Sequence, residues 1–308
     1  MSIATRTAGP TGPTALRATA EAGAVDLPAP SSPIVVIDLA RVADRFRELR
    51  GLLPWMDVRF DVSALAHPAL LSALASDGAG FVVSHDAGLP VLQRCVPDAR
   101  GVLHATPGSR WPRRRAAWES GVRRFVVDDA RDLDEFAKAP SGTAVLLHLH
   151  PDDAVDAAKH AQSVGVRVAG LSLRVSRTAG DDQLLDAVQS AVVTSGRVAG
   201  ILGARLELLD LGEALSGPMA GPSTHIAALG RSIRGLVAPA TSRMNVIASA
   251  GRSVTTDAIT IVSGTAERYA DAATASEYID AGAEVLVLRR RRRIPRPLRA
   301  RSTWSPAR

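Results

Sequence analysis

The sequence predicts a closed (β/α)8 barrel, a TIM barrel, carrying a reduced β appendage. Three observations predict it. Eight short apolar or β-branched runs recur along the chain, helical stretches separate them, and after the eighth run the alternation stops in favour of extended segments. Strands that alternate with helices form a parallel sheet. Eight such units are the number a closed barrel requires. An open doubly wound sheet is the other arrangement of the same elements.

Residues 1–32 are rich in Ala, Thr, Gly and Pro and poor in large apolar side chains. Such a segment buries too little surface to offset its ordering entropy, so it is expected to be disordered. Order is expected from the run Ile34–Ile37 (IVVI), followed by a helix over 39–52. Val42, Phe46, Leu49 and Leu53 recur there at helical spacing. The eight strand runs are 57–62, 80–84, 101–105, 124–127, 143–149, 166–173, 204–211 and 244–248. Helices are expected between them at 68–77, 87–95, 110–120, 131–138, 152–164, 181–199 and 222–237. The barrel thus spans 33–252. Residues 253–264 and 283–288 read as extended segments of a small β unit over 253–288, which the IVVI run could join. Residues 289–308 form an Arg-rich tail.

Charge and composition narrow the function classes. The chain of 308 residues carries a formal charge of +6, but its last twenty residues hold nine arginines and no acid, which leaves −3 on the rest. The basic character therefore belongs to the tail. An acidic body with 4% aromatic residues argues against a nucleic-acid-binding surface. One cysteine, Cys95, excludes an internal disulfide framework and any multi-cysteine metal site. There is no run of 18 apolar residues and no basic-then-apolar leader, so the expected compartment is the cytoplasm.

In a (β/α)8 barrel the chemistry gathers at the C-terminal strand ends. The residues there are Ser63; Ser84 and His85; Thr106; Asp128 and Asp129; His148 and His150; Arg174 and Arg177; Asp210, Gly212 and Glu213; and Ser249, Gly251 and Arg252. Three of these, Arg174, Arg177 and Arg252, could converge on a small anion, because a guanidinium fork matches phosphate or carboxylate. Pairing with Asp210 or Glu213 is the alternative. His148 and His150 flank Leu149, so strand alternation would put both on one face, as a metal pair needs. No third ligand is indicated by spacing, although His104 or Asp128 could supply one, and no metal is expected.

Four segments carry a resemblance. VVIDLARV at 35–42, RFDVSALAHPALLSALASDGAGFVVS at 59–84, LLDLGEALSGP at 208–218 and ASAGR at 248–252 occur in this order. They resemble the landmarks of the fold-type III pyridoxal-phosphate decarboxylases, the ornithine, diaminopimelate and arginine decarboxylases related to alanine racemase. The resemblance runs from Ile34 to about Tyr278 and implies an alanine racemase-like barrel with a β domain. It implies a Schiff-base lysine at the place of Ser63, a glycine-rich phosphate loop at Gly212, Glu213 and Ala214, and an acidic partner of the pyridine nitrogen at Ser249. It also implies a ring-stacking histidine at Arg174 and an aspartate at Val82. Only Gly212 and Arg252 keep the family's residue types within that cofactor set.

These departures set the functional expectation. A serine hydroxyl forms no imine with the cofactor aldehyde. Glu213 would repel a phosphate that the family's glycines admit. The chain is therefore expected to be a degenerate, C-terminally truncated family member and a pseudoenzyme that binds a partner or a small anionic ligand. The candidate ligand-binding residues are Ser63, His85, Arg174, Arg177, Asp210, Gly212, Glu213, Ser249, Gly251 and Arg252. No cofactor is expected. The alternative is an active pyridoxal-phosphate enzyme with an atypical site. A homo- or heterodimer is implied by the resemblance alone.

Overall fold

The computed structural model describes residues 16–20, 23–27, 32–106, 108–109, 111–173, 175–217, 219–238, 244–263 and 266–288. The Arg-rich tail and Arg174 lie outside the described residues, as does most of the segment 1–32. Within that segment the expectation of disorder meets a two-stranded antiparallel hairpin, β1 (Leu16–Ala20) and β2 (Gly23–Leu27).

Strand β3 (Ile34–Asp38) leads directly into helix α1 (Leu39–Leu52). The Asp38 side chain caps that helix by accepting from the Arg41 amide at 3.0 Å. Val42, Phe46, Leu49 and Leu53, the apolar stripe seen in the sequence, are all fully buried. The barrel strands follow: β4 (Asp57–Asp61), β5 (Gly80–Val83), β6 (Leu103–His104), β7 (Arg124–Val127), β8 (Ala144–Leu147), β9 (Val168–Ser172), β10 (Leu208–Asp210) and β11 (Asn245–Ala250). Each pairs in parallel with its neighbours, and β11 pairs with β4 through Ser249 and Arg59, so the sheet closes on itself. This closure excludes the open doubly wound arrangement.

Helices α2 (Pro68–Ser76), α3 (Gly88–Cys95), α4 (Trp111–Glu119), α5 (Leu133–Phe136), α6 (Pro151–Ser163), α7 (Asp181–Leu202) and α8 (Ser223–Val237) link the strands. The local chemistry starts them where expected. Pro68 and Pro151 open α2 and α6, and Asp152 and Asp153 place negative charge in the first turn of α6. Val82, Leu103, Val126, Ala144, Leu146, Ala169, Leu208 and Ile247 fill the barrel interior. A larger cluster, with Phe60, Phe81 and Phe125, joins the outer strand faces to the helices. Among the described residues no helix is long and apolar enough to cross a membrane.

The second unit differs in detail from the sequence reading. Residues 253–264 are not one extended run. Helix α9 (Arg252–Thr255) and a turn at Asp257, with φ +60°, come before strand β12 (Ile259–Ser263). Strand β13 (Ala266–Tyr269), helix α10 (Ala272–Asp280) and strand β14 (Glu284–Leu288) follow. The sheet order is β13-β12-β3-β14. The IVVI run belongs to this sheet, the alternative the sequence reading allowed, and the barrel strands begin at Asp57.

Candidate active site

Strand alternation puts Val58 and Phe60 outward and Arg59 and Asp61 inward on β4. The chain then makes one tight turn, Val62–Ala64, which carries Ser63 at the barrel mouth. Asp61 organises this corner while itself buried. Its Oδ1 accepts from the Ser63 amide at 2.9 Å, from Ser63 Oγ at 2.8 Å and from Ser84 Oγ at 2.9 Å. The two hydroxyl oxygens lie 2.6 Å apart.

A second network sits across the mouth. Asp210, at the end of β10, accepts from Ser172 Oγ at 2.8 Å and from the Gly212 amide at 2.9 Å. Burial pushes its carboxyl above the ordinary carboxylate range, and these two hydrogen bonds oppose the shift. His148 Nδ1 lies 3.3 Å from Ser172 Oγ, which ties β8 into the same network. Ser249 Oγ donates to the Gly212 carbonyl at 2.8 Å. Gly212 adopts φ +58°, a conformation glycine takes without strain, and this turns Glu213 over the mouth.

Asp61, Ser63, Arg177, Glu213, Ser216, Gly251 and Arg252 line one cavity of about 90 Å3, with Ala272 and Ala273 of α10 forming its outer wall. Arg177 Nη1 faces Glu213 Oε2 at 3.6 Å. Ser216 Oγ accepts from the Gly251 amide at 3.1 Å. A larger cavity, about 460 Å3, lies away from the strand-end residues, against the end of α1 at Arg47, Arg50 and Met56. The guanidinium of Arg47 there is already paired with Asp44 and Asp77.

Five sequence-predicted residues thus meet in one place: Ser63, Arg177, Glu213, Gly251 and Arg252. Asp210, Gly212 and Ser249 form the adjoining network. His85 does not join them. It is exposed, and its Nδ1 accepts from the Ala87 amide at 3.3 Å. His148 and His150 do not form a pair on one strand face, because β8 ends at Leu147 and His150 caps α6 from an exposed position. His104 packs at a tilt of 48° against Phe125 and bonds Asp86 at 2.9 Å. Its imidazole is pushed down by burial, partly opposed by Asp86. Asp128 is engaged with Arg114 at 3.0 Å. Among the described residues no group of three His, Cys, Asp or Glu is arranged to hold a metal.

Asp61 and Ser216 were not singled out from the sequence. The signal for Asp61 was present: in RFDV the arginine and aspartate alternate with apolar residues, which turns both toward the barrel interior. Ser216 had no such signal, because it lies in an irregular turn.

The architecture defines the class: a (β/α)8 barrel with its site at the C-terminal mouth, walled by an appended β unit. Residues 39–160 match the family model described as the pyridoxal-binding domain of pyridoxal-dependent decarboxylase. The chain is 27% identical over 224 residues to lysine/ornithine decarboxylase of Selenomonas ruminantium, covering 66% of this chain and 56% of that protein. It is 20% identical over 197 residues to antizyme inhibitor 1 of Pongo abelii, covering 58% and 44%. A crystal structure of lysine decarboxylase from Selenomonas ruminantium superposes with a TM-score of 0.67 at 25% identity, covering 75% of this chain and 65% of that one. Together the matches show similarity to pyridoxal-dependent decarboxylases, in sequence over residues 39–160 and in the fold of the barrel. The chain spans about half the length of the curated relatives it matches.

The residues at the mouth do not fit pyridoxal phosphate as the resemblance implies it is held. The amine is missing from position 63, where the hydroxyl is engaged by Asp61. The two lysines of the chain lie elsewhere: Lys138 just past α5, 3.8 Å from Glu135, and Lys159 on α6, 2.7 Å from Asp156. At position 249 a hydroxyl bonds the backbone where an acid is implied. The cavity, about 90 Å3, is also smaller than the ~150 Å3 space that accepts a single benzene ring.

Proposed function

We propose that this chain is a non-decarboxylating member of its family, a pseudoenzyme that acts by binding a protein partner as a homo- or heterodimer. The observation that carries this reading is Ser63. At the position implied for the lysine stands a hydroxyl bonded to Asp61 at 2.8 Å, and both lysines are exposed with acidic neighbours. The match to a protein named as an inhibitor, antizyme inhibitor 1, supports it, since that name is not one of a decarboxylase. The sequence left open a small anion as the ligand. The cavity lining sets the carboxylates of Asp61 and Glu213 against the guanidinium groups of Arg177 and Arg252, and the absence of net positive charge argues against that choice.

The test is release of carbon dioxide from lysine, ornithine, arginine and diaminopimelate with excess pyridoxal phosphate. The reading expects no release above a protein-free control. Release that scales with protein and is lost in Arg252→Ala would establish the active enzyme instead.

A further inference from the structure

We propose that the barrel mouth is an anion site occupied by the protein's own side chains, with Glu213 standing where an external anion would bind. The inference rests on the reading of a non-catalytic mouth and goes beyond it. It states that phosphate is kept out by internal ligands, not only left without an amine.

Four groups at the cavity could hold an anion; three are already engaged within it, and the fourth, the Arg252 guanidinium, acts on the Asp271 carboxylate at the start of α10. The guanidinium of Arg177 faces the Glu213 carboxylate at 3.6 Å. The Gly251 amide, a backbone donor at the end of β11, is taken by Ser216 Oγ at 3.1 Å. The Ser63 hydroxyl is taken by Asp61 at 2.8 Å. These three groups, their partners and Arg252 line the same cavity.

The arrangement is held by backbone. Gly212 is fixed on both sides, its amide on Asp210 at 2.9 Å and its carbonyl on Ser249 Oγ at 2.8 Å. The loop after β10 is pressed against the loop after β9, since a Cβ placed on Gly217 would stand 2.9 Å from the Arg177 backbone. The backbones that carry Glu213 and Arg177 therefore cannot drift apart without moving both loops. The lining contains two carboxylates and two guanidinium groups, so it offers no net positive charge to a dianion. An incoming phosphate would have to displace Glu213 from Arg177 and then remain beside its like charge.

The experiment is calorimetric titration of the full chain with inorganic phosphate at low ionic strength, where such charges are least screened. The wild type is expected to show no saturable binding in the millimolar range. Glu213→Gln keeps the side chain's shape and removes its charge, and it is expected to bind phosphate about tenfold or more tighter than wild type, the order expected for removing one partly exposed like charge. Adding Arg177→Ala to that variant is expected to abolish the gain. Glu213→Ala serves as the second variant should Glu213→Gln fold poorly. Equal phosphate affinity in the wild type and the folded variants would overturn the inference, and so would a gain that survives Arg177→Ala. Neither result bears on the pseudoenzyme reading, which is tested separately by release of carbon dioxide from the wild type.

Discussion

Replacing Asp61 by alanine tests the corner on which the reading depends. The substitution removes the acceptor of three hydrogen bonds: the Ser63 amide at 2.9 Å, Ser63 Oγ at 2.8 Å and Ser84 Oγ at 2.9 Å. The two hydroxyl oxygens are 2.6 Å apart, so one hydroxyl can turn to the other. Two donors then lose their partner. A fully buried unsatisfied donor costs ~1–3 kcal/mol, whereas Ser63 is exposed and Ser84 half-buried. Water entering the adjoining cavity keeps these two near the lower end, so the loss is about 2 kcal/mol in total. At roughly 2 °C per kcal/mol for a domain of this size, the melting temperature should fall by about 4 °C. Asp61→Asn keeps one acceptor oxygen and should lose about half as much. Thermal melting followed by far-ultraviolet circular dichroism reads both variants. An Asp61→Ala protein that melts at or above the wild-type temperature would refute the idea that this carboxylate organises the mouth.

Two further predictions concern the barrel. Asp210 has a carboxyl raised by burial, so the folded protein holds that proton more tightly than the unfolded chain. The stability this contributes is full below the unfolded value, roughly pH 4, and is lost as pH rises through the folded value. Asp210→Asn cannot lose it, so its melting temperature should gain on the wild type between acidic and neutral pH, whatever constant offset the lost acceptor brings; parallel curves would contradict the assignment. Gly170→Ala places a Cβ 1.9 Å from the Leu208 carbonyl oxygen, between β9 and β10. Overpacking a rigid backbone contact costs ~3 kcal/mol or more, so this variant should yield little soluble protein; expression at the wild-type level with an unchanged melt would contradict the close approach.

The barrel was legible because its strands are short apolar runs, such as RFVV at 124–127 and AVLL at 144–147, with amphipathic helices between them. The second sheet was legible only in outline. Thr255 and Thr256 suggested extended chain, yet their hydroxyls bond carbonyls in the preceding turn, at Gly251 and Arg252, and a short helix forms instead. Strand β13 and helix α10 gave no clear pattern, although α10 supplies the wall of the cavity. The hairpin of β1 and β2 has two five-residue strands, LRATA and GAVDL, too short and mixed to carry a clear alternating apolar signal. At the site, position in the strand brings Ser63, Glu213, Gly251 and Arg252 to one cavity and leaves His85 outside it, because the chain turns away directly after β5. Asp61 is legible from sequence as an inward-facing acid but not as a site residue, because the role of an acid at a strand end depends on which side chains fold around it.

The central claim is that neither lysine amine reaches the barrel mouth. Its most direct test is borohydride reduction of the wild-type protein after titration with pyridoxal phosphate, read by absorbance and by mass analysis of the peptides. The account predicts no saturable band and no stoichiometric adduct within the barrel. A saturable adduct of one per chain, lost in Lys138→Arg or Lys159→Arg, would contradict it.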